Sequence, residues 1–472
     1  MRIADSPKCR WTLYLAAGIA LALSLCFPTN LHAQKGYNAV CTSNTQPTNA
    51  ACSLTTIDAS QLTGTTICQK IYSALGVLNN LISGHTNPGG VIDARSITSG
   101  LTCSAANETP WTSGTSAITT PAVILLPAGE ITISTGWIIP DRTRVFGEGE
   151  RSDPGSAYTP GTQIVAASTL TGTMISLGGA SFYPNTSSPH VYPCGAYPGV
   201  VSGVCFGVSI SDVMLEGNSD TSLVGIANTS SQELSYVHNV NLYGILGTGL
   251  SITTSQAQNS GPYSNIVCNP AASYATASVC ININGPEDTR GIHGLTATAP
   301  SSGSTGPTAA VLLDASNNTI EDAHFEGFQN GILVGANANA RSNVLFNITG
   351  GTGAGPMTNV VKISSANTVT NLSIMGVSSS GATNSIEDDD YATSALLITD
   401  PYVGIYVAGD QISSSVYSRF NTSKQAPSWL SGAVSVSGSC SAVANGTLYS
   451  NSSGASGSTL YVCVSGTWSN IK

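Results

Sequence analysis

Four stretches decide how this chain folds: Ile210-Ser-Asp-Val-Met-Leu-Glu-Gly217, Val237-His-Asn-Val-Asn-Leu-Tyr-Gly244, Ile320-Glu-Asp-Ala-His-Phe-Glu-Gly327 and Val369-Thr-Asn-Leu-Ser-Ile-Met-Gly376. Each reads apolar-x-polar-apolar-x-apolar-x-Gly, and Val344-Leu-Phe-Asn-Ile-Thr-Gly350 is a version one residue shorter. The starts 320, 344 and 369 lie 24 and 25 residues apart, and 210 and 237 lie 27 apart. Short strands recurring at that period, closed by Gly and Asn-rich corners, predict a parallel β-solenoid. A single coil buries two or three apolar side chains and cannot form a core alone; stacking makes the core continuous. The gap from 237 to 320 has room for three more coils. Asn239, Asn343 and Asn371 stand at corners where side chains can hydrogen-bond from coil to coil.

Outside the repeat, Ile67, Ile71, Ala74, Leu75, Leu78, Leu81 and Ile82 recur at helical spacing, with Thr65 or Thr66 as N-cap and Gly84 as the stop. A helix there covers the open first coil, which is otherwise an exposed sheet edge. Gly90–Ala94, Ala122–Leu126, Ile131–Ile133 and Arg144–Phe146 read as strands separated by Pro and Gly turns.

Composition agrees. Of 472 residues only 8% are charged, 50 are Gly, and hydrophobics make up 41%. About 25% charged is ordinary for a soluble domain. Without Lys/Arg clusters there is no footprint for nucleic acid. Normal hydrophobic content excludes a disordered chain.

Residues 1–33 read as a secretory signal peptide: Lys8 and Arg10 precede the apolar run Trp11–Phe27, and Leu31-His32-Ala33 offers a cleavage site. That run is short for a membrane span, and no later segment is long and apolar enough for one. Without the leader, which carries Arg2, Lys8, Arg10 and Asp5, 12 basic and 24 acidic residues remain and the net charge is −12. Ten cysteines then remain in an exported chain, which favours disulfides over metal or thiol chemistry. Sequence neighbours pair as Cys41–Cys52, Cys68–Cys103, Cys194–Cys205, Cys268–Cys280 and Cys440–Cys463, although spacing alone does not fix connectivity. The expected organisation is leader 1–33, irregular arm 34–63, solenoid 64–426 and a small disulfide-stapled β-hairpin module at 427–472. The module's Tyr449, Tyr461 and Trp468 are candidates for stacking on sugar rings, with a simple end cap as the alternative.

The motifs Gly89-Gly-Val-Ile-Asp-Ala-Arg95, Ile124-Leu-Leu-Pro-Ala-Gly129 and Val145-Phe-Gly-Glu-Gly149, leading into solenoid coils, resemble the pectate-lyase-like superfamily. The similarity is to its secreted bacterial, rhamnogalacturonase/epimerase-like branch and covers about residues 64–380. It implies a right-handed parallel β-helix with an N-terminal capping helix, an all-β fold. Its members include lyases, hydrolases, epimerases, tailspikes and adhesins, so it does not set the chemistry.

With octad positions four and six inward, positions five and seven face out. That places Met214, Glu216, Asn241, Tyr243, His324 and Glu326 on one outer face, with Asp212 and Asp322 at the strand entries. Carboxylates beside an aromatic and a His can bind sugar and protonate a glycosidic oxygen, and glycoside hydrolysis needs two carboxyls about 5–9.5 Å apart. Glu216 and Glu326 are too many coils apart to be that pair. The reading is therefore Glu326 as acid, Asp322 or Glu321 as partner and His324 beside them, with Tyr243, Asn241, Glu216, Arg290 and His293 as substrate-binding candidates. Gly291-Ile-His293-Gly294 is similar to the Gly-His-Gly of polygalacturonases but has an extra residue, and that family's other elements are missing. The run Glu387–Asp390 has oxygens for Ca²⁺ but not the spaced ligands of a calcium loop, so a hydrated turn is preferred and no cofactor is expected. Arg290, Arg341 and Lys362 are the only basic residues between 152 and 418 apart from His, so a neutral or weakly charged polysaccharide suits the chain better than a polyanion. The rival reading is a non-catalytic surface adhesin or structural β-solenoid.

Overall fold

The computed structural model describes residues 56–389 except 83–88, 150–160, 180–192, 195–202, 270–276, 286–287, 300–305, 352–354 and 356, together with the strands between 396 and 471. The expected leader, Cys41, Cys52, Gly84, Asp390 and Cys440 lie outside the described residues.

Helix α1 spans Ile67–Ile82. Thr66 is its cap: its Oγ1 accepts from the Gln69 amide at 3.2 Å, and the Gln69 side chain accepts from the Thr65 amide at 2.9 Å. This near capping box satisfies amides that have no intrahelical partner. Ile67, Ile71, Ala74, Leu75 and Leu78 are fully buried. They pack on the first strands of the solenoid, and the Cys68–Cys103 disulfide ties the helix to the strand Thr102–Cys103. The sheet begins earlier than expected. Thr56–Asp58, inside the stretch read as an irregular arm, pairs in parallel with Val91–Asp93.

From there the chain is a parallel β-solenoid whose described residues form two long sheets, of 16 and 11 strands. In the longer sheet Ile210, Val237, Tyr263, Ile292, Ile320, Leu345, Ile374 and Ile398 stack at one register position. Two coils, not three, fill the gap between Val237 and Ile320, with strands at Tyr263–Asn269 and Ile292–Thr298. The register also corrects the last repeat. Gly376 is not the glycine closing an octad; it lies level with Asn347 and Asp322, and Val369–Thr370 pairs instead with Ala340–Arg341 in a separate two-stranded sheet. Both parallel sheets end on antiparallel strands, Asp410–Ser413 and Val416–Arg419.

The third octad position turns each strand. Asp212, Asn239, Asn265, Gly294, Asp322, Asn347 and Gly376 all have φ between +50° and +70°. Only Gly, Asn and Asp enter this region routinely, which is why this position carries no other residue type. The corner side chains link the coils: Asn239 donates to Asp212 and Asn265 donates to Asn239, each at 2.9 Å, and Asn347 donates to Asp322 at 2.6 Å. Asn343 belongs to a different corner, where it accepts from the Asn318 amide and donates to the Ala315 carbonyl.

Inside, bulk on one sheet meets its absence on the other. A Cβ on Gly331 would meet Phe325 Cδ2 at 2.6 Å, one on Gly350 would meet Val360 Cγ2 at 2.6 Å, and one on Gly249 would meet Leu242 Cδ1 at 3.0 Å. Cys268 and Cys280 cross the same space as a disulfide. Interiors pack to crystal-like density, so such alternation fixes which coil faces which. Tyr263 replaces an aliphatic residue in the inward column, its hydroxyl bonded to Asn228 and Ser260 at 2.8 and 2.7 Å, and burial pushes its pKa up to about 12.

Cys194–Cys205 is the third disulfide among the described residues, and Cys463 is also disulfide-bonded. Trp429–Gly432, Leu448–Asn451, Leu460–Val464 and Thr467–Asn470 form a four-stranded sheet. Tyr449 is buried there, with the rings of Tyr461 and Trp468 at 6.3 and 5.9 Å. Tyr449 is therefore core of this sheet, while Tyr461 and Trp468 are half-buried against it.

Candidate functional site

Three outward rows run across the coils of the long sheet. The first carries Ser211, His238, Ser264, His293, Glu321, Phe346 and Met375. Beyond the corner, the second carries Met214, Asn241, Val267, Thr296, His324, Thr349 and Ser378, and the third includes Glu216, Tyr243, Asn269, Thr298, Glu326 and Gly351. The expected alternation is correct, yet not every outward residue reaches solvent. Met214 is fully buried and Asn241 is 3% exposed. Met214 lies in register between Asn241 and Gln163, which is itself buried, so this end of the row is covered and Asn241 is withdrawn as a ligand contact.

Glu216 accepts a hydrogen bond from the Gln163 amide. Four coil steps separate it from Glu326, roughly 19 Å at about 4.8 Å per step. Tyr243 lies beside Glu216, three steps from Glu326. These two residues and the Glu326 cluster are different parts of one face.

The strand Thr319–Glu326 brings Glu321, Asp322, His324 and Glu326 together in sequence but divides them in space. Asp322 is the corner residue and accepts from Asn347. Glu321, on one side of the corner, pairs with His293 of the neighbouring coil. Past the corner, His324 Nε2 lies 3.0 Å from Glu326 Oε1. The side chain of Glu326 is 18% exposed against 37% for Glu321, so Glu326 is the more desolvated carboxylate. Arg290 is exposed and enters the site through its backbone: its carbonyl accepts from His293 Nε2 at 2.9 Å.

The Arg290 carbonyl can only accept, so the His293 ring donates to it through Nε2 while Nδ1 faces Glu321.

Two residues that the sequence did not single out complete this region. Thr349 Oγ1 lies 2.8 Å from His324 Nδ1. Gly351 leaves room for the His324–Glu326 pair, since a Cβ there would meet Glu326 Oε1 at 2.7 Å and His324 Nε2 at 3.1 Å. Both sit in the shortened repeat Val344–Gly350 or directly after it, where the missing bulk was the available signal.

Two carboxylates of the acidic run share one local cation. Lys362 Nζ lies 3.3 Å from Glu387 and 2.8 Å from Asp389, and Asn359 donates to Glu387. Burial pulls the Lys362 pKa down, but its carboxylate partners outweigh this and hold it above the ordinary lysine value. Among the described residues no group of three or more His, Cys, Asp or Glu is arranged to hold a metal. No helix among them is long and apolar enough to cross a membrane.

No protein-family model matches the chain, and a comparison with curated protein sequences finds no match. Among solved structures, the A-module of mannuronan C-5 epimerase AlgE4 from Azotobacter vinelandii is 16% identical, covering 59% of this chain and 86% of that one, with a TM-score of 0.30. Tailspike protein 2 from the Escherichia coli O157:H7 bacteriophage CAB120 is 12% identical, covering 65% and 44%, with a TM-score of 0.40. The pre-mature bacteriophage phi29 gene product 12 is 11% identical, covering 65% and 56%, with a TM-score of 0.27. The chain's own register, parallel coils stacked one strand per sheet, is that of a parallel β-solenoid.

Proposed function

We propose that this protein is exported and that the outer face of the long sheet around Glu326 binds a neutral or weakly charged polysaccharide, with Glu326 as proton donor to a glycosidic oxygen. The observation that carries this reading is the Glu326–His324 contact, a partly desolvated carboxylate against an imidazole on an open face. Thr296, Thr298 and Thr349 surround it with neutral hydroxyl groups. Across the corner Phe346 is 47% exposed and offers an apolar ring face. Arg290 and Arg341 are the only Lys or Arg residues between 203 and 351, which favours a ligand without dense negative charge. Disulfides inside the solenoid fit an oxidising compartment.

A second reading, a non-catalytic adhesin or structural solenoid, is favoured by one observation. The expected partner carboxylates of Glu326 are engaged elsewhere, Asp322 by Asn347 and Glu321 by His293. A polysaccharide panel separates the two, scored by reducing ends for hydrolysis and by ultraviolet absorbance for lysis. Turnover that falls at least about 100-fold in Glu326→Gln supports Glu326 as acid. Turnover unchanged in that variant removes the assignment. Silence in both assays with retained glycan-array binding leaves the adhesin reading, and loss of binding as well ends the carbohydrate reading.

A further inference from the structure

The first outward row changes character at one end. It reads Ser211, His238, Ser264, His293 and Glu321, and then Phe346 and Met375. Val344 lies two residues before Phe346 on the same strand, and so on the same outer face. The three side chains make one apolar patch, in which Phe346 is 47% exposed and Val344 and Met375 are half-buried. Apolar residues scattered singly over a surface need no explanation, but three neighbours edged by polar groups do.

Thr319 and Ser373 stand in register on either side of Val344, and Glu321 stands beside Phe346. Asn347, exposed at the corner, follows Phe346 directly. Its carboxamide donates to Asp322 at 2.6 Å, and the corner residue on its other side is Gly376, which has no side chain to meet its carbonyl oxygen. A Cβ on Gly376 would make only ordinary contacts with the Asn347 backbone, at 3.5 Å, so the space beside Asn347 is open.

An aromatic ring next to a thioether, edged by hydroxyl, carboxamide and carboxylate groups, matches the two-sided chemistry of a pyranose. A β-linked glucose-type pyranose has one face made only of axial C–H bonds, with its hydroxyls around the edge. In an α-linked sugar the axial glycosidic oxygen interrupts that face.

We propose that Val344, Phe346 and Met375 are the floor of a sugar-binding subsite selective for β-linked over α-linked pyranosides, with Asn347 as the polar contact at its edge. This rests on the carbohydrate reading above but not on Glu326 as acid. Phe346 lies across the corner, five residues before Gly351, which is level with Glu326; that is at most about 17 Å at about 3.3 Å per residue. The subsite therefore governs affinity rather than turnover.

Arrays of neutral glycans in matched α- and β-linked forms test this with the full-length protein and two variants. The wild type should bind β-linked members. Phe346→Ala should weaken that binding about tenfold, and Phe346→Trp, which keeps an aromatic face, should retain it. The urea midpoints should not change, because the ring lies outside the lumen. Emission of Phe346→Trp, read as the difference from wild type, should shift when the bound β-linked glycan is added. A preference for α-linked glycans overturns the proposal, and so does β-linked binding that Phe346→Ala leaves unchanged; either result leaves the carbohydrate reading standing. Should Phe346→Ala not fold, a difference emission that saturating β-linked glycan leaves unmoved overturns it instead. A wild type that binds no glycan ends the carbohydrate reading, and the subsite with it.

Discussion

The first coils and the strand Thr319–Glu326 use their polar residues in opposite ways. In the first coils the motif residues spend their side chains on one another. Arg95 makes a bidentate bond to Asp93 at 2.9 and 2.8 Å and reaches Glu148 at 3.6 Å, while the Glu148 amide donates to Thr162 and Thr162 donates to the Pro127 carbonyl. All three motifs that carry the family resemblance are joined in this clasp. Around Thr319–Glu326 the pairs His293–Glu321 and His324–Glu326 instead lie on outward rows. The residues that make a fold recognisable are those that close it. Outward positions can vary without disturbing the interior, and chemistry collects there.

The comparison predicts that clasp substitutions lower stability and spare the face, while face substitutions do the reverse. Gly147→Ala should have the largest effect. Its Cβ would lie 2.1 Å from the Asp212 carbonyl oxygen, so backbone must move, at a cost of about 3 kcal/mol read as a lower urea midpoint. Gly351→Ala meets only the ends of flexible side chains. It should weaken glycan binding about tenfold, or about 1.4 kcal/mol, with the urea midpoint nearly unchanged. An equal fall in stability would show that the face is structural like the clasp.

Tyr263→Phe is the control from the lumen, expected to cost about 1 kcal/mol by stripping Asn228 and Ser260 of a partner. Because the folded phenol is pushed up to about 12 from an ordinary value near 10, its stabilisation is present below about pH 10 and is lost as pH rises toward 12. The variant should therefore show less alkaline destabilisation, and an identical alkaline profile would remove that assignment.

Arg95→Ala should be smallest, below about 1 kcal/mol for so exposed a pair. The Arg95 hydrogen bond holds the Asp93 carboxyl below its ordinary range. That stabilisation is present above about pH 4 and lost as pH falls below it. Melting temperatures at pH 7 and pH 3 should differ less in the variant than in the wild type.

Much of this was legible in the sequence because a solenoid repeats its constraints. Val213 and Leu215 are inward as the pattern requires, and Cys68–Cys103, Cys194–Cys205 and Cys268–Cys280 pair as sequence neighbours. The strands Val91–Asp93, Val123–Leu125 and Arg144–Phe146 lie where alternation put them. The last repeat went wrong because Gly serves both to end an octad and to turn its third residue, and at Gly376 the local pattern fits either use. Asn241 misled for another reason: period-two alternation reports direction, whereas burial depends on what lies over the row.

By itself, then, the sequence determined the periodic part of this protein: parallel coils, the capping helix, the neighbouring disulfides and the scarcity of charge. These follow from contacts between residues close in the chain or one repeat apart. Tertiary structure alone decided which outward residues share a row, that the corner separates Glu321 from Glu326, and that Thr349, a coil away, reaches the far nitrogen of His324. Coil lengths vary, so register across coils is set by packing in the lumen, where Phe325 needs Gly331 and Val360 needs Gly350.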